Sequence, residues 1–140
     1  MRSIMIWTIG VCVLCVLQAW AEDKATTTPA TQSSNIRLAE VDEFASLIGL
    51  EGHVLLDVRR PEEHAAGHIA GGSDLIDFES ADFARLVAEL PQDKTYLIYC
   101  RSGRRSHLAM LKMQTMGFTK LVDLKGGILG WTKAGKPVEK

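Results

Sequence analysis

Apolar residues recur along this chain in two patterns, and the alternation between them predicts an architecture. Val41, Phe44, Ala45 and Ile48 fall at i, i+3, i+4 and i+7, the stripe of a helix face, with acidic Glu40, Asp42 and Glu43 suited to its first turn and Gly49 to its end. Phe83, Leu86, Val87 and Leu90 repeat the stripe behind Ser80, read as an N-cap, and stop at Pro91. A third helix is expected from Arg104 to Met116. Its Leu108, Ala109, Met110, Leu111, Met113 and Met116 lie on several faces, which predicts burial on more than one side with the methionines as core filler. Gly117 ends it. Between these helices lie HVLLDV from His53, TYLIYC from Thr95 and KLVDL from Lys120, all apolar without strict alternation. Strands buried on both faces read this way, and strands alternating with helices predict a small α/β fold with a parallel central sheet and helices on both faces.

The N-terminal residues break this pattern. MRSIMIWTIGVCVLCVLQAWA carries one charge at Arg2, an apolar run from Ile4 to Trp20 and the small-x-small ending Ala19-Trp20-Ala21. That order predicts a signal peptide over residues 1–21, export, and a periplasmic location. The run is slightly short for a membrane span of about 20 residues, so stable membrane contact is expected only if the leader is kept as an anchor. Bulky Leu14 before Cys15 argues against lipid modification there. EDKATTTPATQSSN, residues 22–35, has too little apolar surface to offset its ordering entropy and reads as a flexible linker. Residues 36–140 suffice for one core and are too few for two. Net charge is −1, and −2 once Arg2 is removed, a balance that gives nucleic acid nothing to bind.

Of the 3 cysteines, Cys12 and Cys15 belong to the leader, which leaves Cys100 as the single thiol of the mature chain. A structural disulfide and a CxxC zinc site are thereby excluded from it. In parallel sheets ligands gather beyond the carboxyl ends of the strands, and both Cys100 and the pair Asp57 and Arg59 stand at such ends. After Cys100 come Arg101, Ser102, Gly103, Arg104 and Arg105. Guanidinium groups and the positive end of the third helix both favour the thiolate, a nucleophile at neutral pH. Gly103 permits a tight turn that aims successive N–H groups inward as an anion cradle. The arginines also admit a structural reading, solvated or paired with Asp57 or another acid, and for Arg105 the two roles are compatible. His64 and His68 are four apart, but Gly67 interrupts the helix that a metal pair needs, so no metal site is expected. His107 reads as an ordinary exposed histidine, and Trp131 as the packing anchor of a last short helix.

Three segments, LLDVRRPEEHAAGHIAGG, YCRSGRRS and KLVDLKGGILGWTKAGKPV, occur in the order found in a single-domain rhodanese, a sulfurtransferase, and resemble it over essentially all of residues 36–140. The resemblance implies that Cys100 carries sulfur as a persulfide, that residues 101 to 105 form the cradle, that Asp57 and Arg59 brace the site, and that no cofactor takes part. It implies a small anionic sulfur donor such as thiosulfate, a thiol or cyanide-like acceptor, and room for a protein acceptor. A persulfide carrier serving a partner protein is the alternative. Where relatives often carry GHIPGA, this chain has Gly67-His68-Ile69-Ala70-Gly71-Gly72, which softens a turn without touching the implied catalytic residues. Phosphatases of similar fold have a longer loop between cysteine and arginine. Here Arg105 follows after residues 101–104 alone, which argues against phosphate-ester chemistry.

Overall fold

The computed structural model describes residues 34–140; the expected leader and residues 22–33 of the expected linker lie outside them. The elements are β1 (Asn35–Ala39), α1 (Val41–Leu47), β2 (His53–Asp57), α2 (Pro61–Ala66), β3 (His68–Ile69), β4 (Asp74–Leu75), α3 (Phe83–Ala88), β5 (Thr95–Tyr99), α4 (Arg104–Thr115), β6 (Lys120–Leu124), α5 (Gly127–Lys133) and β7 (Val138–Glu139). Five strands form a parallel sheet in the order β1-β6-β5-β2-β4, and β3 and β7 make a short antiparallel ribbon. This is the small α/β fold expected from the pattern.

The runs without alternation are explained by burial on both faces. Leu56, Ile98 and Leu121 face Phe83, Val87, Ala109 and Met113 of α3 and α4. Their neighbours Leu55, Leu97 and Val122 face Phe44 and Trp131 of α1 and α5. Successive strand residues thus point into two cores, and both must be apolar. Trp131 anchors its core as expected, edge-on to Phe44 and donating Nε1–H to the Pro137 carbonyl at 2.8 Å.

Three expectations require correction. α4 buries one face, Ser106, Ala109, Met110 and Met113, whereas Leu108 and Leu111 are exposed. Its apolar residues outnumber what one face needs, and the count concealed a simple i, i+3, i+4, i+7 stripe. α3 starts at Phe83, because Ser80 caps a preceding turn: its Oγ accepts from Asp82 N at 3.2 Å and its carbonyl from Phe83 N. Asn35, placed in the linker, already pairs with Lys120 as the first residue of β1, an edge strand whose outer polar positions hide it in the sequence.

Candidate active site

Cys100 directly follows the central strand β5 and is 1% exposed. The chain then turns through Gly103, at φ +96°, and enters α4. Gly103 N–H donates to Cys100 Sγ at 3.1 Å, while its carbonyl accepts from His107 N and from Ser106 Oγ, both at 3.2 Å. The amides of Arg104, Arg105 and Ser106 precede that first intrahelical bond and have no partner within the helix, so the sulfur sits at the amide-rich end of α4.

The carbonyls of the loop are taken from behind. Ile128 N–H donates to Cys100 O at 2.8 Å and Leu129 N–H to Arg101 O at 3.1 Å, both from the first turn of α5. Gly127 makes that approach possible. A Cβ there would lie 2.5 Å from Cys100 O and 2.6 Å from Arg101 O, and its φ of +58° suits glycine. With its carbonyls bound to α5, the loop keeps amides for an anion on the other side.

Arg105 pairs with Glu63 of α2 at 2.7 and 2.9 Å and with Glu79 at 3.3 Å, not with Asp57. Of the two structural readings of Arg105, the one through another acid is therefore the one observed. The Arg105 guanidinium holds the Glu63 carboxyl below the usual carboxylate range, and Glu63 in return raises Arg105. Arg101 and Arg104 are exposed and, among the described residues, form no ion pair. Together with Arg105, Ser102, Phe78, Glu79 and Leu108 they line a cleft of ≈ 380 Å³.

Asp57 and Arg59 form a separate knot at the end of β2. Arg59 Nε and Nη2 donate to the Asp57 carboxylate at 2.9 and 2.6 Å, and Nη2 also donates to Gly67 O at 2.8 Å. Burial opposes the Arg59 charge, but the Asp57 carboxylate outweighs it and raises the guanidinium. His64 Nδ1 lies 3.0 Å from Asp57 Oδ2, and His64 stacks on His68 with ring centroids 4.0 Å apart. The guanidinium of Arg59 sits 5.6 Å from the Tyr99 ring centroid, and Val58 N–H donates to Tyr99 O at 3.0 Å. This knot therefore fixes the residue before Cys100 and does not touch the sulfur.

Sequence reasoning missed Glu63, Glu79, Gly127 and Asp123. Glu63 and Gly127 lie inside the PEE and KGG segments, but a position in a motif does not tell which side chain it meets. Asp123 is 1% exposed on β6, and among the described residues neither carboxylate oxygen has a hydrogen-bond partner. His107 Nδ1 lies at 3.7 Å, too long for a hydrogen bond, and the Ser106 hydroxyl is committed to Gly103. Burial pushes the Asp123 carboxyl up to about 6, against weaker opposing pulls from Ser106 and His107. An unsatisfied acid inside an apolar strand leaves no mark in the sequence other than one polar letter in KLVDL.

Comparison with known proteins bears on this arrangement. The family model of the rhodanese-like domain matches residues 40–134. A sulfurtransferase of Allochromatium vinosum is 34% identical over 108 residues, covering 77% of this chain and 90% of its own length. A thiosulfate sulfurtransferase of Pseudomonas entomophila is 36% identical over 89 residues, covering 64% of this chain and 79% of its own. The crystal structure of a rhodanese-related protein from Thermoplasma volcanium superposes with a TM-score of 0.65 at 31% identity, covering 74% of this chain and 97% of that one.

Proposed function

The chain belongs to the rhodanese-like domain family, whose members act on small sulfur donors and acceptors, and from that premise we propose that it transfers sulfane sulfur through Cys100. The observation that carries this reading is Gly103 N–H on Cys100 Sγ at 3.1 Å, at the start of α4, with arginines lining the adjoining cleft. The Cys100 thiolate attacks the outer sulfur of thiosulfate; the S–S bond of the donor breaks, sulfite leaves with the electron pair, and Cys–S–S⁻ remains. Cyanide or a thiolate then attacks the outer sulfur of the persulfide, and the cysteine thiolate is regenerated. Charge is conserved in both halves, and ping-pong kinetics are expected.

Amides of the loop and the helix end hold the persulfide charge, and the arginines draw the anionic donor into the cleft. The near-complete burial of Cys100 favours small reagents. Thiosulfate:cyanide transfer tests the reading against phosphatase chemistry. Hydrolysis of aryl phosphates at a comparable rate would overturn it. A carrier role is the second outcome of the same assay: stoichiometric loading with no turnover on small acceptors.

We also propose that residues 1–21 direct export and are removed, on the charge, apolar run and Ala19-Trp20-Ala21 ending described above. N-terminal sequencing of the exported protein should begin at Glu22. A chain starting at Met1 in the membrane fraction would replace the cleaved leader by an anchor.

A further inference from the structure

The first turn of α4 has Cys100 on one side and Asp123 on the other. Asp123 is in register with Ile98 on the neighbouring strand, and Cys100 follows Ile98 by two residues on the same face of the sheet. With strands about 4.8 Å apart and a rise of about 3.3 Å per residue, the two Cα atoms are about 8 Å apart. The intervening material is the α4 turn itself. Ser106 and His107 both bond Gly103 O, and Gly103 N–H bonds the sulfur.

We propose that Asp123 is a positioning residue for Cys100: its ionised carboxylate, behind the first turn of α4, opposes a second negative charge in the cradle and so sets how readily Cys100 holds and releases an anionic sulfur. This rests on the reading of Cys100 as the sulfur-bearing nucleophile. Two negative charges compete for one helix end, and while the arginines of the loop favour that of Cys100, little offsets that of Asp123. From α4, His107 alone approaches Asp123 with a titratable group; from β1 the neighbour is Leu38; from the turn after β6, Lys125 is drawn away by Glu40. A cleft of ≈ 240 Å³ lined by Leu38, His107, Asp123 and Lys125 gives protons a way in. Burial places the carboxyl at about 6, so the group changes charge just below neutral pH.

The consequence is a division of labour between the half-reactions. With Asp123 protonated the cradle favours the charged persulfide; with Asp123 ionised that charge is less well held and hand-off to an acceptor is favoured. Mutual repulsion of unit charges at this separation, partly screened, is worth about one pKa unit, or tenfold. By linkage each charge raises the midpoint of the other by the same amount.

Two measurements test this. In Asp123→Asn, the pH dependence of iodoacetamide alkylation of Cys100 should shift down by about one unit, with about tenfold faster alkylation on the rising limb. A profile superimposable on the parent's would overturn the proposal. The second measurement needs no substitution. Carbon-13 NMR titration of the Asp123 carboxyl is performed on protein whose Cys100 carries either a charged carboxymethyl or a neutral carbamidomethyl group. The midpoint should lie about one unit higher in the charged adduct. Equal midpoints would show that the two sites do not communicate. Because neither readout requires sulfur transfer, failure of the coupling and failure of the sulfurtransferase reading are told apart.

Discussion

Two carboxylates flank the start of α4, and they live under opposite conditions. Glu63, brought in by α2, is partly open to solvent, receives two hydrogen bonds from Arg105 and is held ionised. Asp123, brought in by β6, is fully buried, receives none among the described residues and is pushed up to about 6. The difference teaches that proximity to a helix N-terminus does not by itself fix the state of an acid. A committed guanidinium decides in one case and desolvation in the other. The paired side gives the loop a rigid wall, and the unpaired side gives it a titratable one.

The strongest way to break both sides at once is to push the loop off its support. Gly127→Ala drives a methyl into the carbonyls of Cys100 and Arg101, and a loss of about 2 to 4 kcal/mol in denaturant-measured stability is expected, together with slower sulfur transfer. A smaller loss, of about 1 to 2 kcal/mol, is expected for Arg105→Ala, which leaves Glu63 without its guanidinium partner while Glu79 keeps Arg60. Sulfur transfer should fall as well. A rate loss much larger than the change in melting supports a role of Arg105 in the cleft, whereas parallel losses make it a brace.

The comparison also sets opposite pH signatures. Glu63 is depressed in the fold, so its contribution to stability is present above its unfolded value and is lost as pH falls through the folded one. Asp123 is raised, so between its ordinary value of 3.8 and about 6 the folded chain holds the extra proton and stability declines as pH rises. Asp123→Asn removes that decline. Its stability should match the parent's around pH 4 and exceed it by about 2 to 3 kcal/mol around pH 8, read by urea denaturation at both. Glu63→Gln should do the reverse, with its deficit growing from acid to neutral pH.

The strands and helices that carry the site were legible because burial on both faces forces continuous apolar runs such as TYLIYC and helices force a repeat of three and four. Cys100 and residues 101 to 105 were legible because the loop is contiguous in sequence. What connects the loop to its surroundings was not. Arg105 finds Glu63 across 42 positions and the loop carbonyls find α5 some 28 positions later, distances along the chain at which no periodicity operates. Asp57 looked like a partner for Arg105 because it ends a strand beside the one that leads into the loop, but Arg59, two residues away, reaches it first. The two-residue strands β3, β4 and β7 carry too few residues to show a pattern.

Sulfur transfer through Cys100 requires one sulfur atom to reside on that one residue. Intact-mass analysis of the mature domain after incubation with thiosulfate should show a gain of about 32 Da that maps to Cys100 and is removed by cyanide. Cys100→Ser should show neither the gain nor turnover while keeping its fold, since a hydroxyl of similar size is a far weaker nucleophile. A gain that maps to another residue, or undiminished transfer by Cys100→Ser, would contradict it.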